Sequence, residues 1–294
     1  MEVAFGKYVR VCLDHPCPIC GKSDWCLLHA SGNKAVCTRV KSGLPFGEQG
    51  AGWTHYLGSG QRAVKINMRP KKRLSYQQVQ RFLDECPQDL EDHARNLRLS
   101  VDSLRMIQTR YLTFKAALAF PMFDGRRNPI GVRFRRKNGG KWSLKGGREG
   151  VFLSAEFNAD SPIVVVEGAT DAATLCHAGY TNVIGRPNCV GGALIIKQLA
   201  RNTSVPVLIL ADPDEPGIDG AQRLCDYLPN PARVMLGPSD VHEYFTYLNH
   251  DNLPARVLHD ILDNVENTDE STEWKCIDFN HKGKFFPFTQ SYRA

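Results

Sequence analysis

Several acidic residues stand directly after apolar runs in the second half of the chain. IVVVEG ends at Glu167, VLILADPD ends at Asp212 and Asp214, and RVMLG is followed by Asp240, with His242 and Glu243 close behind. In an open parallel sheet, ligands bind beyond the carboxyl ends of the strands, so acids at those ends converge on one place. Carboxylates packed together repel one another, and a divalent cation resolves that repulsion. Mg²⁺ suits such a set, because it takes a few hard oxygen ligands, keeps several waters and accepts substrate phosphates. Asp212 and Asp214 flank Pro213, so both reach one ion only if the chain leaves strand geometry there, which Pro213 and the following EPG encourage. The competing role for these acids is helix N-capping. It weighs most at Asp171 and least for the set Glu167, Asp212 and Asp214.

A second constellation lies near the N-terminus. Cys17-Pro-Ile-Cys20-Gly is a knuckle whose two sulfurs can bind one tetrahedral ion, and Cys26 and Cys37 complete a zinc set. The spacing C-x2-C-x5-C-x10-C is not a standard ribbon, so His29 or His15 stays open as a replacement for Cys26. A redox pair would instead sit at a helix start within a βαβ unit, a context that this loop-rich stretch does not provide. The ten cysteines fit metal binding in an intracellular protein better than disulfides. The start MEVAFGKYVRVCLDH has no apolar core of a leader peptide, and no run of about 20 apolar residues could span a bilayer. A cytoplasmic protein with no membrane partner is expected.

The elements that must position these residues follow from periodicity. Residues 1–58 read as a zinc-binding module and 59–74, rich in Gly, Pro and basic residues, as a linker. From 75 to 108 the pattern is helical, with Val79, Phe82 and Leu83 on one stripe and Ser100 a candidate N-cap. Short alternating runs with Asp-Gly signals continue to 153, making 75–159 a helical and basic β-rich subdomain. Residues 160–263 alternate strand and helix, the pattern of a parallel sheet covered on both faces. The tail, 264–294, lacks periodicity and is expected to be disordered or a partner-binding strap.

Charge is distributed unevenly. Residues 1–73 hold 12 Lys+Arg against 4 Asp+Glu, 110–148 hold 11 against 1, and 149–294 hold 10 against 20. Basic segments neutralise phosphates, and an acidic segment within a basic chain makes sense if its carboxylates bind cations; a solvated charged surface is the bland alternative. In GVRFRRKNGGKWSLKGG, Arg133 and Arg135 share one strand face while Val132 and Phe134 bury the other. Trp142 could stack on a base, although an aromatic in a strand is more often core.

VVVEGATDAATL followed by LILADPDEPGIDGAQRL resembles the Toprim domain, shared by bacterial-type primases, topoisomerases and certain nucleases. With a zinc-binding module ahead of it, the arrangement resembles that of bacterial and phage-type (DnaG-like) DNA primases, and the CPICGKSDWC segment looks closest to phage or mobile-element members. The resemblance implies an α/β fold in which a Toprim parallel-sheet domain follows a helical/β basic subdomain and a small zinc module. It implies Mg²⁺ or Mn²⁺ on Glu167, Asp212 and Asp214, with Asp171 and Asp240 as further catalytic acids. SDVHEYF departs from the family's late Lys-Asp motif, carrying Ser239 in place of Lys. Arg133, Arg135, Arg136, Lys141 and Lys145 are the implied contacts to template or nucleotide. The implied activity is nucleotidyl transfer, joining ribonucleoside triphosphates into short RNA primers on single-stranded DNA. No Gly-x-x-x-x-Gly-Lys-Ser/Thr occurs, so a replicative helicase would be a separate chain. A Toprim-type nuclease and a non-catalytic replisome adaptor are the alternatives.

Overall fold

The computed structural model describes residues 8–12, 15–47, 52–58, 73–236 and 239–243, together with the backbone of 275–278 and 286–289. The chain divides into two compact units, Met1–Lys71 and Lys72–Ala294. Of the expected linker, residues 59–72 lie outside the described residues. Among the described residues, no helix is long and apolar enough to cross a membrane.

The first unit is an antiparallel sheet in the order β1 (Tyr8–Arg10), β2 (Leu27–His29), β3 (Lys34–Cys37), β4 (Trp53–Tyr56). Strands this short bury little surface, and the buried cluster consists of Val11 with Cys17, Cys26 and Cys37. The thiols thus occupy the place of a hydrophobic core, as in small units that depend on a metal for stability.

The second unit begins with α1 (Tyr76–Asp84), α2 (Glu91–Leu97) and α3 (Val101–Met106). Ser75 and Gln78 form a capping box at α1, and Ser100 caps α3 by accepting from the Ser103 amide at 3.1 Å. A four-stranded antiparallel sheet follows: β5 (Arg110–Leu112), β6 (Ala117–Phe123), β7 (Pro129–Arg136), β8 (Lys141–Ser143). Asp124 Oδ1 ties the β6–β7 turn by accepting from the amides of Arg126 and Asn128, both at 2.9 Å. On one face of this sheet Ala117, Ala119, Val132 and Phe134 pack under Val79 and Leu83 of α1. Strand periodicity then turns Arg133 and Arg135 to the opposite face.

Beyond it lies a seven-stranded sheet. Its strands are β9 (Phe152–Leu153), β10 (Ile163–Glu167), β11 (Val183–Arg186), β12 (Val207–Ala211), β13 (Ala232–Leu236), β14 (Lys275–Asp278) and β15 (Phe286–Thr289), in the order β15-β14-β13-β12-β10-β11-β9. The four central strands are parallel, and β9, β14 and β15 pair antiparallel. Helices α4 (Ala169–His177), α5 (Ala193–Leu199) and α6 (Glu215–Tyr227) connect them. Val164, Val166, Leu208 and Leu210 bury one face against α4, while Ile163, Val165, Val207 and Ile209 bury the other against α5 and α6. Continuous apolar strands are what double-sided burial requires. The core around α4 also takes in Leu104, Leu118 and Phe120, so helices, basic sheet and parallel sheet share one interior.

The chain passes from β10 to β11 on one side and returns to β12 on the other. This reversal of direction opens a crevice at the carboxyl ends of β10 and β12. Part of the tail behaves differently from the expectation of an aperiodic segment: Lys275–Asp278 pairs with β13 and Phe286–Thr289 with β14, adding a hairpin to the sheet. The open backbone edge of β13 supplies the hydrogen-bonding partners that short segments lack alone.

Candidate functional site

Glu167 is the last residue of β10, and Asp212 directly follows β12. Both therefore fall at the crevice where the strand order reverses. They line a cavity of about 270 Å³ with Asp171, Asp240 and His242. The facing lining is cationic, with Arg133 and Arg135 of β7 and Lys141 of β8, while Phe120 and Phe152 contribute apolar surface. Arg135 and Lys141 are cross-strand partners in the β7–β8 ladder, which places both on one sheet face. Arg135 Nη1 donates to Thr170 Oγ1 at 2.6 Å, tying the basic sheet to the start of α4.

The acids are held in unfavourable ionisation environments. Burial first, then the charges of Asp212 and Asp214, push the Glu167 carboxyl up to about 7 against the opposing effect of Arg186. Asp171 is pushed up to about 8 by burial, then by Asp212 and Asp240, although the His242 amide donates to its Oδ1 at 3.3 Å. Asp212 rises to about 6, from burial and then from Asp240 and Asp214. Glu167 Oε1 is buried without a hydrogen-bond partner. An orphaned carboxylate oxygen among mutually repelling acids fits a divalent cation, which would relieve both penalties. Among the described residues, the four cysteines are the group of three or more candidate ligands already drawn together as an ion would need, and the acids of the crevice are not. The acids thus form an open site rather than a closed cage, the kind in which Mg²⁺ or Mn²⁺ retains waters and substrate oxygens.

Asp214 has a different local role from Asp212. It is the N-cap of α6, with Oδ1 accepting from the Gly217 amide at 2.7 Å, and it does not line the cavity. The chain does leave strand geometry at Pro213, which turns Asp214 toward the helix start. Gly217 keeps the three acids together: a Cβ there would lie 2.5 Å from the Asp212 carbonyl oxygen, 2.9 Å from Asp214 Oδ1 and 3.1 Å from Glu167 Oε1. Asp171 does not cap α4, whose N-cap is Gly168 with no side-chain hydrogen bond. Asp240 accepts from the Glu243 amide at 2.8 Å while lining the cavity.

Two of the five cationic candidates lie elsewhere. Arg136 is on the other face of β7, 5.0 Å above the Trp142 ring, which stacks on Phe134 at 5.1 Å. Trp142 is therefore a packing residue over the α1-covered face. Lys145 is exposed after β8 and does not line the cavity.

In the first unit the sulfurs of Cys17, Cys20, Cys26 and Cys37 lie within 4.8 Å of one another. Cys20 Sγ is 3.7 Å from Cys26 Sγ, which is 3.9 Å from Cys37 Sγ. A tetrahedron built on Zn–S bonds of about 2.3 Å has edges of about 3.8 Å, so the thiols have the spacing of a zinc shell. Gly21 (φ +70°) closes the knuckle, its amide donating to the Cys17 carbonyl at 2.8 Å. The amides of Arg39 and Val40 donate to Cys37 Sγ at 3.4 and 3.3 Å, and Arg39 Nη1 approaches Cys26 Sγ at 3.7 Å. Such outer donors offset thiolate charge. Neither histidine belongs to the group; His29 Nδ1 instead lies 2.5 Å from Ser31 Oγ.

Comparison with solved structures places this arrangement beside known proteins. Among the solved structures similar to it are DNA primases. The zinc-binding and RNA polymerase domains of the Aquifex aeolicus primase match 90% of this chain and 80% of their own at 14% identity, with a TM-score of 0.49. The E. coli primase catalytic core matches over 66% and 85% at 16% identity, TM-score 0.49. The primase fragment of the bacteriophage T7 primase-helicase protein matches over 85% and 97% at 18% identity, TM-score 0.42. No protein-family model and no curated protein matches the sequence.

The site also contains residues that sequence reasoning passed over. Arg186 ends β11 opposite Glu167 in the ladder and is 2% exposed, its Nε and Nη1 donating to the carbonyls of Gly191 and Gly220, both at 3.1 Å. Burial lowers its guanidinium to about 10. The rule that singled out Glu167, reading the residue that closes an apolar strand, points equally to Arg186 in NVIGR. Thr170 and Thr174 carry no comparable signal, because hydroxyls on a helix are ordinary until the fold brings Arg135 and His242 to them.

Proposed function

We propose that this chain is a DNA primase that joins ribonucleotides into short RNA primers on a single-stranded DNA template. The observation that carries the reading is one crevice with carboxylates of the parallel sheet on one wall and cations of the basic sheet on the other. Nucleotidyl transfer needs both: acids to hold divalent cations and cations to hold phosphates. The thiol cluster and the Toprim-like order of the acids favour a primase over a nuclease, which needs no zinc module.

Glu167 and Asp212, with Asp214 beside them, would hold Mg²⁺ or Mn²⁺, and the four cysteines a structural Zn²⁺. A bound divalent ion supplies Lewis-acid polarisation of the reacting phosphate and charge neutralisation for the leaving pyrophosphate. Arg133, Arg135 and Lys141 bind and orient phosphate oxygens of nucleotide or template. Arg135 is preorganised for this by its bond to Thr170. Proton transfer from the attacking 3′-hydroxyl is the alternative to a ligand role for Glu167. The reading places the protein in the cytoplasm with a replicative helicase as a partner.

The test is incubation with a panel of single-stranded templates, labelled ribonucleoside triphosphates and Mg²⁺ beside Asp212→Ala. Short template-dependent products that fall at least roughly 100-fold in the variant are expected from loss of one charge-stabilising group. Template degradation would replace this reading by the nuclease, and products unaffected by Asp212→Ala would overturn the site assignment.

A further inference from the structure

Cys26 reaches the other three thiols by way of a strained turn. Its amide donates to the Asp24 carbonyl at 2.7 Å, closing a three-residue turn whose middle residue, Trp25, has φ +62°. A turn with this hydrogen bond and a positive φ at its centre is the rare, strained form, and tryptophan lacks the freedom of glycine to adopt it. Trp25 is 50% exposed, so burial of its ring does little to hold the conformation. Another contact must hold it.

Arg39 supplies that contact. Its Nη1 donates to the same Asp24 carbonyl at 3.1 Å and its Nη2 to Asp24 Oδ1 at 2.6 Å, so the guanidinium grips residue 24 by main chain and side chain at once. Nη1 also reaches Cys26 Sγ at 3.7 Å and Cys20 Sγ at 4.0 Å, while the Arg39 amide donates to Cys37 Sγ at 3.4 Å. One residue thereby touches three of the four thiols and the turn that delivers one of them. The planar fork permits this, because its donors leave in fixed directions and meet a carbonyl, a carboxylate and sulfur together, whereas an ammonium is a point charge.

We infer that Arg39 is the positioning residue of the zinc site: by clamping the Asp24–Cys26 turn it keeps Cys26 as the fourth ligand, and without its fork the turn relaxes and the shell opens at that sulfur. The inference rests on the reading of the four thiols as a zinc shell. Its requirement is the geometry of the guanidinium, not a positive charge alone. Groups outside a metal shell that orient its ligands contribute to affinity in this way.

The experiment uses the full chain loaded with one equivalent of zinc. Competition with a chelator reads zinc affinity, and alkylation by iodoacetamide followed by mass spectrometry reads which cysteine leaves the shell, since a sulfur released from zinc displaces iodide faster than one held by it. Arg39→Lys, which keeps the charge but not the fork, should lower zinc affinity roughly 10-fold and make Cys26 the first of the four to be alkylated. Adding Trp25→Gly to that variant removes the strain of the positive φ and should recover most of the lost affinity. Unchanged affinity in Arg39→Lys, or alkylation that begins at another of the four cysteines, overturns the inference. A loss that Trp25→Gly leaves in place overturns it as well, because the effect then does not pass through the turn. A native chain that takes up no zinc instead overturns the reading of the thiols as a zinc shell.

Discussion

Asp171→Asn should stabilise the protein in a pH-dependent way when no divalent ion other than zinc is present. The side chain is buried, and its carboxyl is pushed up from 3.8 to about 8 by burial and then by Asp212 and Asp240. Its folded-state pKa lies above the unfolded value, so the folded chain holds the proton over the interval between them. The contribution of Asp171 to stability is therefore greatest below pH 3.8 and declines as pH rises toward about 8. Each pH unit in that interval costs about 1.4 kcal/mol, so from pH 5 to pH 7 the native protein loses about 2.7 kcal/mol through this one group. Asparagine keeps the shape and the acceptor for the His242 amide but has no proton to lose. The stability difference between Asp171→Asn and native protein should thus grow by about 2.7 kcal/mol between pH 5 and pH 7, or about 5–10 °C in melting temperature for a unit of this size. Taking the difference between two proteins cancels groups that titrate alike in both. Urea denaturation at pH 5, 6 and 7 measures it. A difference that stays constant with pH would show that Asp171 ionises normally and would refute the account of a crevice strained by its own acids.

Other consequences are equally direct. Cys26→Ser should lower zinc affinity at least about 10-fold, since a full thiolate shell supplies the folding energy of such a unit; a chelator-competition titration with unchanged affinity would return the fourth position to a histidine. Gly217→Ala should cost about 1–3 kcal/mol by forcing a methyl against the Asp212 carbonyl and Glu167 Oε1, and should weaken Mn²⁺ binding; both are read in the same thermal melts with and without the ion. Arg135→Ala should reduce primer synthesis roughly 10- to 100-fold, the worth of a charge-assisted hydrogen bond to phosphate, whereas Arg136→Ala, on the far face of β7, should change it less than about threefold. Equal effects of the two arginine variants would remove the argument from strand periodicity.

Much of this site could be read from residue order because its parts are local. Burying both faces of β10 and β12 demands continuous apolar runs, and those runs mark where Glu167 and Asp212 emerge. Alternation along β7 assigns Arg133 and Arg135 to one face and Val132 and Phe134 to the other, as the packing against α1 bears out. Ser100 declares the start of α3 because its hydroxyl has only neighbouring amides to satisfy.

What the amino-acid sequence determined by itself is the succession of elements, the acids at strand ends and the set of thiols, all of which depend on residues a few positions apart. Tertiary structure decided the rest. Whether Asp214 faces the crevice or the α6 amides depends on the turn at Pro213. The choice of Cys26 over His29 depends on how the β2–β3 ladder sets its sulfur beside that of Cys37. Arg186, His242 and Thr174 acquire their places only when β10 lies between β11 and β12 and the segment after β13 returns to α4. Such contacts join residues as far apart as Thr174 and His242. Their formation depends on which long-range packing buries the most apolar surface while satisfying the polar groups carried with it, and no local pattern expresses that balance.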